Sequence, residues 1–176
     1  MTPPLRLRNL PLALMLASLI STCHAALGPG DVPPDSLGYS TSGGEMLLNH
    51  YFGKVVIVTF WATWCPQCIK ELPILEAVQN KAGKANLEVI AVNIENADVF
   101  RRATRIMGQS MHLALLRDAT GEARKAYGVN GIPHMVIIGR DGRILQVHRG
   151  YAEDALDDIV SDINQALTQA APTAQK

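Results

Sequence analysis

Trp61-Ala62-Thr63-Trp64-Cys65-Pro66-Gln67-Cys68 is the stretch that decides how this chain folds. Directly before it runs the apolar, β-branched series Val55-Val56-Ile57-Val58-Thr59-Phe60, and after it comes a helix-forming segment from Ile69 to Lys84. The series reads as a strand buried on both faces, because its apolar run is unbroken rather than alternating. A Cys-x-x-Cys between such a strand and a helix sets Cys65 beside the helix's first turn. Unpaired backbone N–H groups and the positive end of the helix dipole stabilise a thiolate there. Cys68 is near enough to close a disulfide with Cys65, or to resolve a mixed disulfide formed on it. The arrangement suits electron transfer between thiols and disulfides.

Two plainer uses of the pair are a structural disulfide and half of a zinc site. Structural zinc takes four ligands, and the sequence has no second Cys-x-x-Cys and no His-x-x-x-His. Closing so small a loop removes little entropy from the unfolded chain. Redox catalysis is the favoured reading.

The rest of the chain sets the context. Its 176 residues suit one globular domain with a leader. Sixteen basic residues balance sixteen acidic ones, so no basic footprint points to a nucleic acid. Arg6 and Arg8 precede an apolar stretch, Leu10 to Ile20, followed by the small residues Ala25 and Ala26. That is the pattern of an export signal cleaved after Ala25, and the stretch falls short of the roughly 20 apolar residues of a membrane span. Residues 1–25 are read as a signal peptide, with an uncleaved anchor or a lipid-modified Cys23 as alternatives. Cleavage leaves 14 basic and 16 acidic residues, and only the motif pair of cysteines. An exported domain with one close pair fits a redox enzyme of an oxidising compartment better than a disulfide-stapled scaffold.

Residues 26–37 are rich in Pro and Gly and are expected to form a mobile tether. The domain proper is set at 38–170, with a frayed tail at 171–176. A short edge strand is expected near Leu37–Thr41 and a short helix over Glu45–Tyr51, stopped by Gly53. Strand and helix then alternate: strand Val55–Phe60, helix Pro66–Lys81, strand Leu87–Asn93, helix Asp98–Met107, strand Leu113–Leu116, helix Glu122–Tyr127. Met135–Ile138 and Ile144–Val147 flank Gly139-Arg140-Asp141-Gly142, whose Asp-Gly pair signals a hairpin. An amphipathic helix over Glu153–Leu167 closes the pattern. β-α-β, then a hairpin and a final helix, implies an α/β fold with a mixed central sheet flanked by helices on both faces.

On these residues the chain resembles the thioredoxin superfamily: Trp-Cys-x-x-Cys after a buried strand, Pro73 in the following helix, and Gly131-Ile132-Pro133 before the hairpin. The blocks Thr59 to Pro73 and Gly131 to Gly142 are similar to the exported TlpA/ResA-type branch. The resemblance implies a thioredoxin fold, with Cys65 attacking and Cys68 resolving. It also implies a cis Ile132–Pro133 bond beside the cysteines, which offers the Ile132 backbone to a client peptide in strand-like pairing. Trp64, Pro66, Ile132 and Pro133 are the implied client-binding residues. No prosthetic group or metal is called for, since the dithiol itself carries the electrons.

Two positions depart from the superfamily's common pattern. Cytoplasmic thioredoxins usually carry a buried aspartate two residues before the strand's tryptophan, where this chain has Thr59. Glu71, one helical turn past Cys68, matches an acidic position of the exported branch and is the candidate proton relay, provided burial raises its pKa. The plainer reading is an exposed helix glutamate. The second departure is His134, directly after the proline, where a small polar residue is commoner. It is either a tuner of the Cys65 thiolate or a solvent-facing strand residue.

Trp61 is expected to pack at the strand's end while Trp64 lines the rim of the site. His50, His112 and His148 read as surface or packing residues. Arg101, Arg102 and Arg105 read as a solvated helix face, with client docking as the alternative.

The expected activity is thiol:disulfide exchange on client proteins, in the reducing direction and fed by a membrane electron donor. By family analogy, clients include the haem-attachment cysteines of apocytochromes c and the copper-site cysteines of oxidase assembly proteins. A copper-binding assembly module built on the cysteine pair, or a net disulfide-forming oxidant of the same fold, are the alternatives.

Overall fold

The structure, a computed structural model, describes residues 27–150 and 155–170. The signal-peptide reading of residues 1–25, the start of the last helix and the tail at 171–176 lie outside the described residues. Two strands, β3 (Val55–Trp61) and β4 (Leu87–Asn93), run parallel at the centre, and every residue of both is buried. Side chains of a strand point alternately to opposite faces. Val55, Ile57 and Trp61 therefore enter one core, while Val56, Val58 and Phe60 enter another across the sheet. A strand that feeds two cores has no polar face, which is why its sequence runs unbroken.

Five further strands complete the sheet: β1 (Ser36–Ser40), β2 (Glu45–Leu47), β5 (Ala114–Arg117), β6 (His134–Ile138) and β7 (Ile144–Arg149). Their spatial order is β2-β1-β5-β4-β3-β6-β7. β3, β4 and β5 are mutually parallel neighbours, while β6 and β7 on one side, and β1 and β2 on the other, pair antiparallel. Helices α1 (Pro66–Ala82), α2 (Ala97–Met107) and α4 (Ala155–Thr168) supply Leu72, Leu75, Ala103, Ile159 and Ile163 to the first core. Helix α3 (Glu122–Ala126), with Tyr127 after it, and a 3₁₀ turn at Leu48–Tyr51 cover the second. The sheet is mixed and covered on both faces, as the strand–helix alternation implies.

Three local expectations are corrected. The helix expected over Glu45–Tyr51 is instead β2 followed by the 3₁₀ turn. Ser36 pairs with Leu47 and Tyr39 with Glu45, while Asp35 receives Leu48 N–H on its carbonyl at 2.8 Å and Asn49 N–H on its carboxylate at 2.7 Å. Tertiary partners thus take the backbone groups a helix would have used. As a consequence β1 is not an edge strand, since β2 lies outside it. The Pro/Gly-rich segment read as a mobile tether is docked on the domain from residue 28 to 35. Gly30 N–H donates to Ile144 O at 2.8 Å, Ile144 N–H to Asp31 O at 2.9 Å, and the Tyr127 hydroxyl to Pro34 O at 2.8 Å. Gly38 has φ +108°, and a Cβ there would stand 2.6 Å from Arg117 O, so a glycine is what lets β1 approach β5 this closely.

The topology also sets where a site can form. β3 and β4 end at the same edge of the sheet, and antiparallel β6 begins there, with Phe60 opposite His134 as the last step of the ladder. The Cys loop that follows Trp61 and the Ile132-Pro133 segment that precedes His134 are thereby neighbours. Loops beyond the carboxyl ends of parallel strands are where such folds place their chemistry.

Candidate active site

From Trp61 the chain turns through residues 62–64 into α1, which begins at Pro66. Proline suits the first helical position, where its missing N–H would have had no partner in any case. Cys65 is the N-cap, and its Sγ accepts the Cys68 N–H at 3.2 Å. A sulfur thus occupies the place of the usual capping oxygen, at the positive end of a 17-residue helix. Cys65 and Cys68 are joined in a disulfide with Cα atoms 5.3 Å apart. Cys65 retains 5 % exposure and Cys68 has none. An incoming thiolate must reach the sulfur it attacks, so the pair is asymmetric, with Cys65 as the outward partner.

Glu71 lies one turn beyond Cys68 on the inner side of α1. It is not the exposed helix glutamate of the plainer reading: 3 % of it is accessible, and burial pushes its carboxyl up to about 7. Near neutral pH such a group both takes and gives a proton readily. Thr59, in the superfamily's aspartate position, is buried on the same side of β3 as Ile57 and Trp61. Its hydroxyl has no hydrogen-bond partner among the described residues.

Around the pair, Trp61 is fully buried in the core that also holds both cysteines, while Trp64 is 65 % exposed. Pro66 and Ile69 are exposed as well. Together with Trp64 they make an apolar rim on the side of Cys65. The Ile132–Pro133 bond is cis. Ile132 is half-buried, Pro133 is buried, and the Pro133 carbonyl accepts Gly150 N–H at 2.9 Å.

His134 answers to neither sequence reading. It is 1 % exposed, not solvent-facing. It sits directly across from Phe60, with the two rings edge to face at 6.1 Å. Residues directly opposite in a ladder share a face, and Phe60 belongs to the core on the far side from the cysteines. Burial first, then the charge of Arg149, pushes its imidazole down to about 4. A neutral ring on the other face is no cation for the Cys65 thiolate.

The remaining histidines are peripheral: His50 is exposed, His112 stands 3.6 Å from Glu76, and His148 stands 3.0 Å from Asp162. Arg101, Arg102 and Arg105 are exposed, with Arg101 paired to Asp98. An apolar hollow of about 310 Å³ between Leu48, Phe52, Val56 and Ile138 opens at the opposite end of β3, remote from the cysteines. Among the described residues, no group of three or more His, Cys, Asp and Glu side chains is placed to hold a metal.

One residue of the site escaped the sequence reading. Just past β4, the Glu95 carboxylate accepts Thr63 N–H at 2.6 Å, the Thr63 hydroxyl at 2.9 Å and the Asn93 side-chain amide at 3.1 Å. Glu95 N–H in turn donates to Asn93 Oδ1 at 2.9 Å. The available signal was Asn-x-Glu immediately after the second parallel strand, at the sheet edge that carries the cysteine motif.

A family model, Redoxin, matches residues 29–167. The chain belongs to the Redoxin family. A thiol-disulfide oxidoreductase ResA of Geobacillus thermodenitrificans is 29 % identical over 153 residues, spanning 82 % of this chain and 86 % of that protein. The thioredoxin-like protein YneN of Bacillus subtilis is 32 % identical over 123 residues, spanning 69 % of this chain and 71 % of that one. A solved structure from Chlorobium tepidum, described as a thiol:disulfide interchange protein DsbE, matches with a TM-score of 0.70 at 27 % identity. It covers 81 % of this chain and 99 % of its own. The fold of this Redoxin-family member is thioredoxin-like, and the protein is a ResA-like thiol:disulfide oxidoreductase.

Proposed function

We propose that this oxidoreductase works outside the cytoplasm as a reductase of client-protein disulfides. The observation that carries the exchange step is the asymmetry of the pair: Cys65 caps a helix at the outer side, while Cys68 is sealed beneath it, one turn from Glu71. In the reduced enzyme the Cys65 thiolate attacks a client disulfide. One S–S bond breaks, a mixed disulfide forms, and the first client sulfur leaves as a thiolate that takes up a proton. Cys68 gives its proton to Glu71 and attacks Cys65 Sγ. The second client sulfur leaves, and the Cys65–Cys68 disulfide holds the oxidised state. Two electrons have passed to the client, so a dithiol donor on the membrane must restore the enzyme.

Trp64, Pro66, Ile132 and Pro133 form the client-facing surface, an assignment supported by the exposed Trp64 and Pro66 and by the adjacency of the Ile132-Pro133 segment. The leader pattern and the likeness to ResA support export, and cysteine-bearing haem or copper assembly proteins are the client classes that suit it. A copper module would add a histidine to the two sulfurs, and His134, which follows the cis proline, faces the opposite core.

The test is the equilibrium potential of the Cys65–Cys68 pair in the chain from Ala26 onward. A value near roughly −270 mV, that of thioredoxin, supports a reductase. A value near roughly −120 mV, that of DsbA, reverses the direction and makes the protein a disulfide donor.

A further inference from the structure

We propose that Glu95 is a positioning residue: it fixes Thr63–Trp64 as one wall of the client groove, and so sets how well protein clients bind without entering the exchange chemistry. The inference rests on the client-reduction reading above. Trp64 projects from a three-residue turn with 65 % of its surface in solvent, so little packing of its own holds it. What holds it is the backbone on either side. Thr63 is gripped through both its N–H and its hydroxyl by the Glu95 carboxylate. Glu95 is itself braced by the fully buried Asn93, and the Ile94 N–H donates to Trp61 O at 3.1 Å. The clamp joins the ends of β3 and β4, so the turn inherits the rigidity of the sheet.

Cys65 has separate anchors: its N–H donates to Ala62 O at 3.1 Å, its carbonyl accepts Ile69 N–H at 3.2 Å, and its Sγ caps α1. Loss of Glu95 therefore frees Thr63 and Trp64 while the sulfur keeps its place at the helix. A client that must order this wall pays in affinity, whereas a small disulfide that needs only the sulfur does not.

The experiment compares wild type, Glu95→Ala and Glu95→Gln, each driven by excess dithiothreitol, on insulin as the protein disulfide and on 2-hydroxyethyl disulfide as the small one. Glu95→Ala is expected to raise KM for insulin by about fivefold or more, an affinity loss of the size that releasing ordered side chains produces, with kcat for insulin and the rate on the small disulfide retained. Glu95→Gln keeps a carbonyl for Thr63 N–H and an amide for the Thr63 hydroxyl, and is expected to restore the insulin KM. Thr63→Val, which removes one of the two grips, stands in should Glu95→Ala fail to fold, with the same split expected. Equal losses on both disulfides, or an unchanged insulin KM, overturn the inference. A wild-type protein that turns over neither probe overturns the client-reduction reading itself.

Discussion

Each face of the sheet buries an ionisable side chain beside β3, Glu71 on one and His134 on the other, and the two are placed differently. On the dithiol face Glu71 is held as a carboxyl that titrates at about 7; on the other face His134 is held as an imidazole that titrates at about 4. Burial penalises the charged form in both cases, which sends an acid up and a base down. The shifts are alike in origin, so the shift alone does not mark a catalytic group. What separates the two is placement. Glu71 stands one helical turn from Cys68, the sulfur that the proposed exchange deprotonates, whereas His134 meets Phe60 edge to face with the sheet between it and the cysteines. A perturbed pKa becomes chemistry only where a proton has to move.

Breaking the contrast at Glu71 has the largest expected effect. Glu71→Gln is expected to slow resolution of the mixed disulfide by about 10²-fold, the lower range for loss of a placed acid–base group. It should also remove the rate's dependence on a group near 7. Rapid quenching with a thiol-alkylating agent reads the lifetime of the intermediate, and an unaltered lifetime would reduce Glu71 to a buried passenger like His134.

The next largest effect is on stability. The Glu71 carboxyl titrates near 4.5 unfolded and about 7 folded, so the native state holds the extra proton between those values. Native stability then falls as pH rises through that window, by about 3 kcal/mol in all. His134 titrates near 6.5 unfolded and about 4 folded, so there the unfolded state holds the proton and stability falls as pH drops. Between 4.5 and 6.5 the two slopes oppose one another. Urea titrations across this range should show a shallow profile for wild type. Glu71→Gln should leave a curve that rises with pH, and His134→Leu one that falls, with the exchange rate of His134→Leu unchanged. A slow His134→Leu would mean that the far face does reach the dithiol.

The smallest effect tests Thr59. Its hydroxyl is buried without a partner, and a buried unsatisfied group costs about 1–3 kcal/mol. Thr59→Val keeps the shape and removes the group, so it should stabilise the fold by about 1 kcal/mol, read as a shift in urea midpoint at constant slope. Exchange rates should not change. A slower Thr59→Val would return the aspartate position to the proton path.

Much of this was legible because the signals are local. The run Val55–Phe60, the Cys-x-x-Cys, Pro66 at a helix start and the Asp-Gly hairpin each work through their immediate neighbours, and each element formed where it was expected. Glu45–Tyr51 failed because the hydrogen bonds that shape it come from Ser36, Tyr39 and Asp35. The tether failed likewise: Gly30 and Asp31 bond to Ile144, more than a hundred residues away in sequence. Glu95 went unnoticed because its partner Thr63 lies 32 residues upstream and meets it only where the two parallel strands end together.

By itself, then, the sequence determined that a buried strand delivers a cysteine to the head of a helix with a second cysteine one turn inside, since strand alternation, capping and helical pitch are properties of adjacent residues. Tertiary structure alone decided that Glu71 is buried, that His134 belongs to the opposite core and that Glu95 closes on Thr63. Which side of a strand faces which helix, and which strand ends coincide, depends on register between segments distant in the chain, and no local pattern encodes that register.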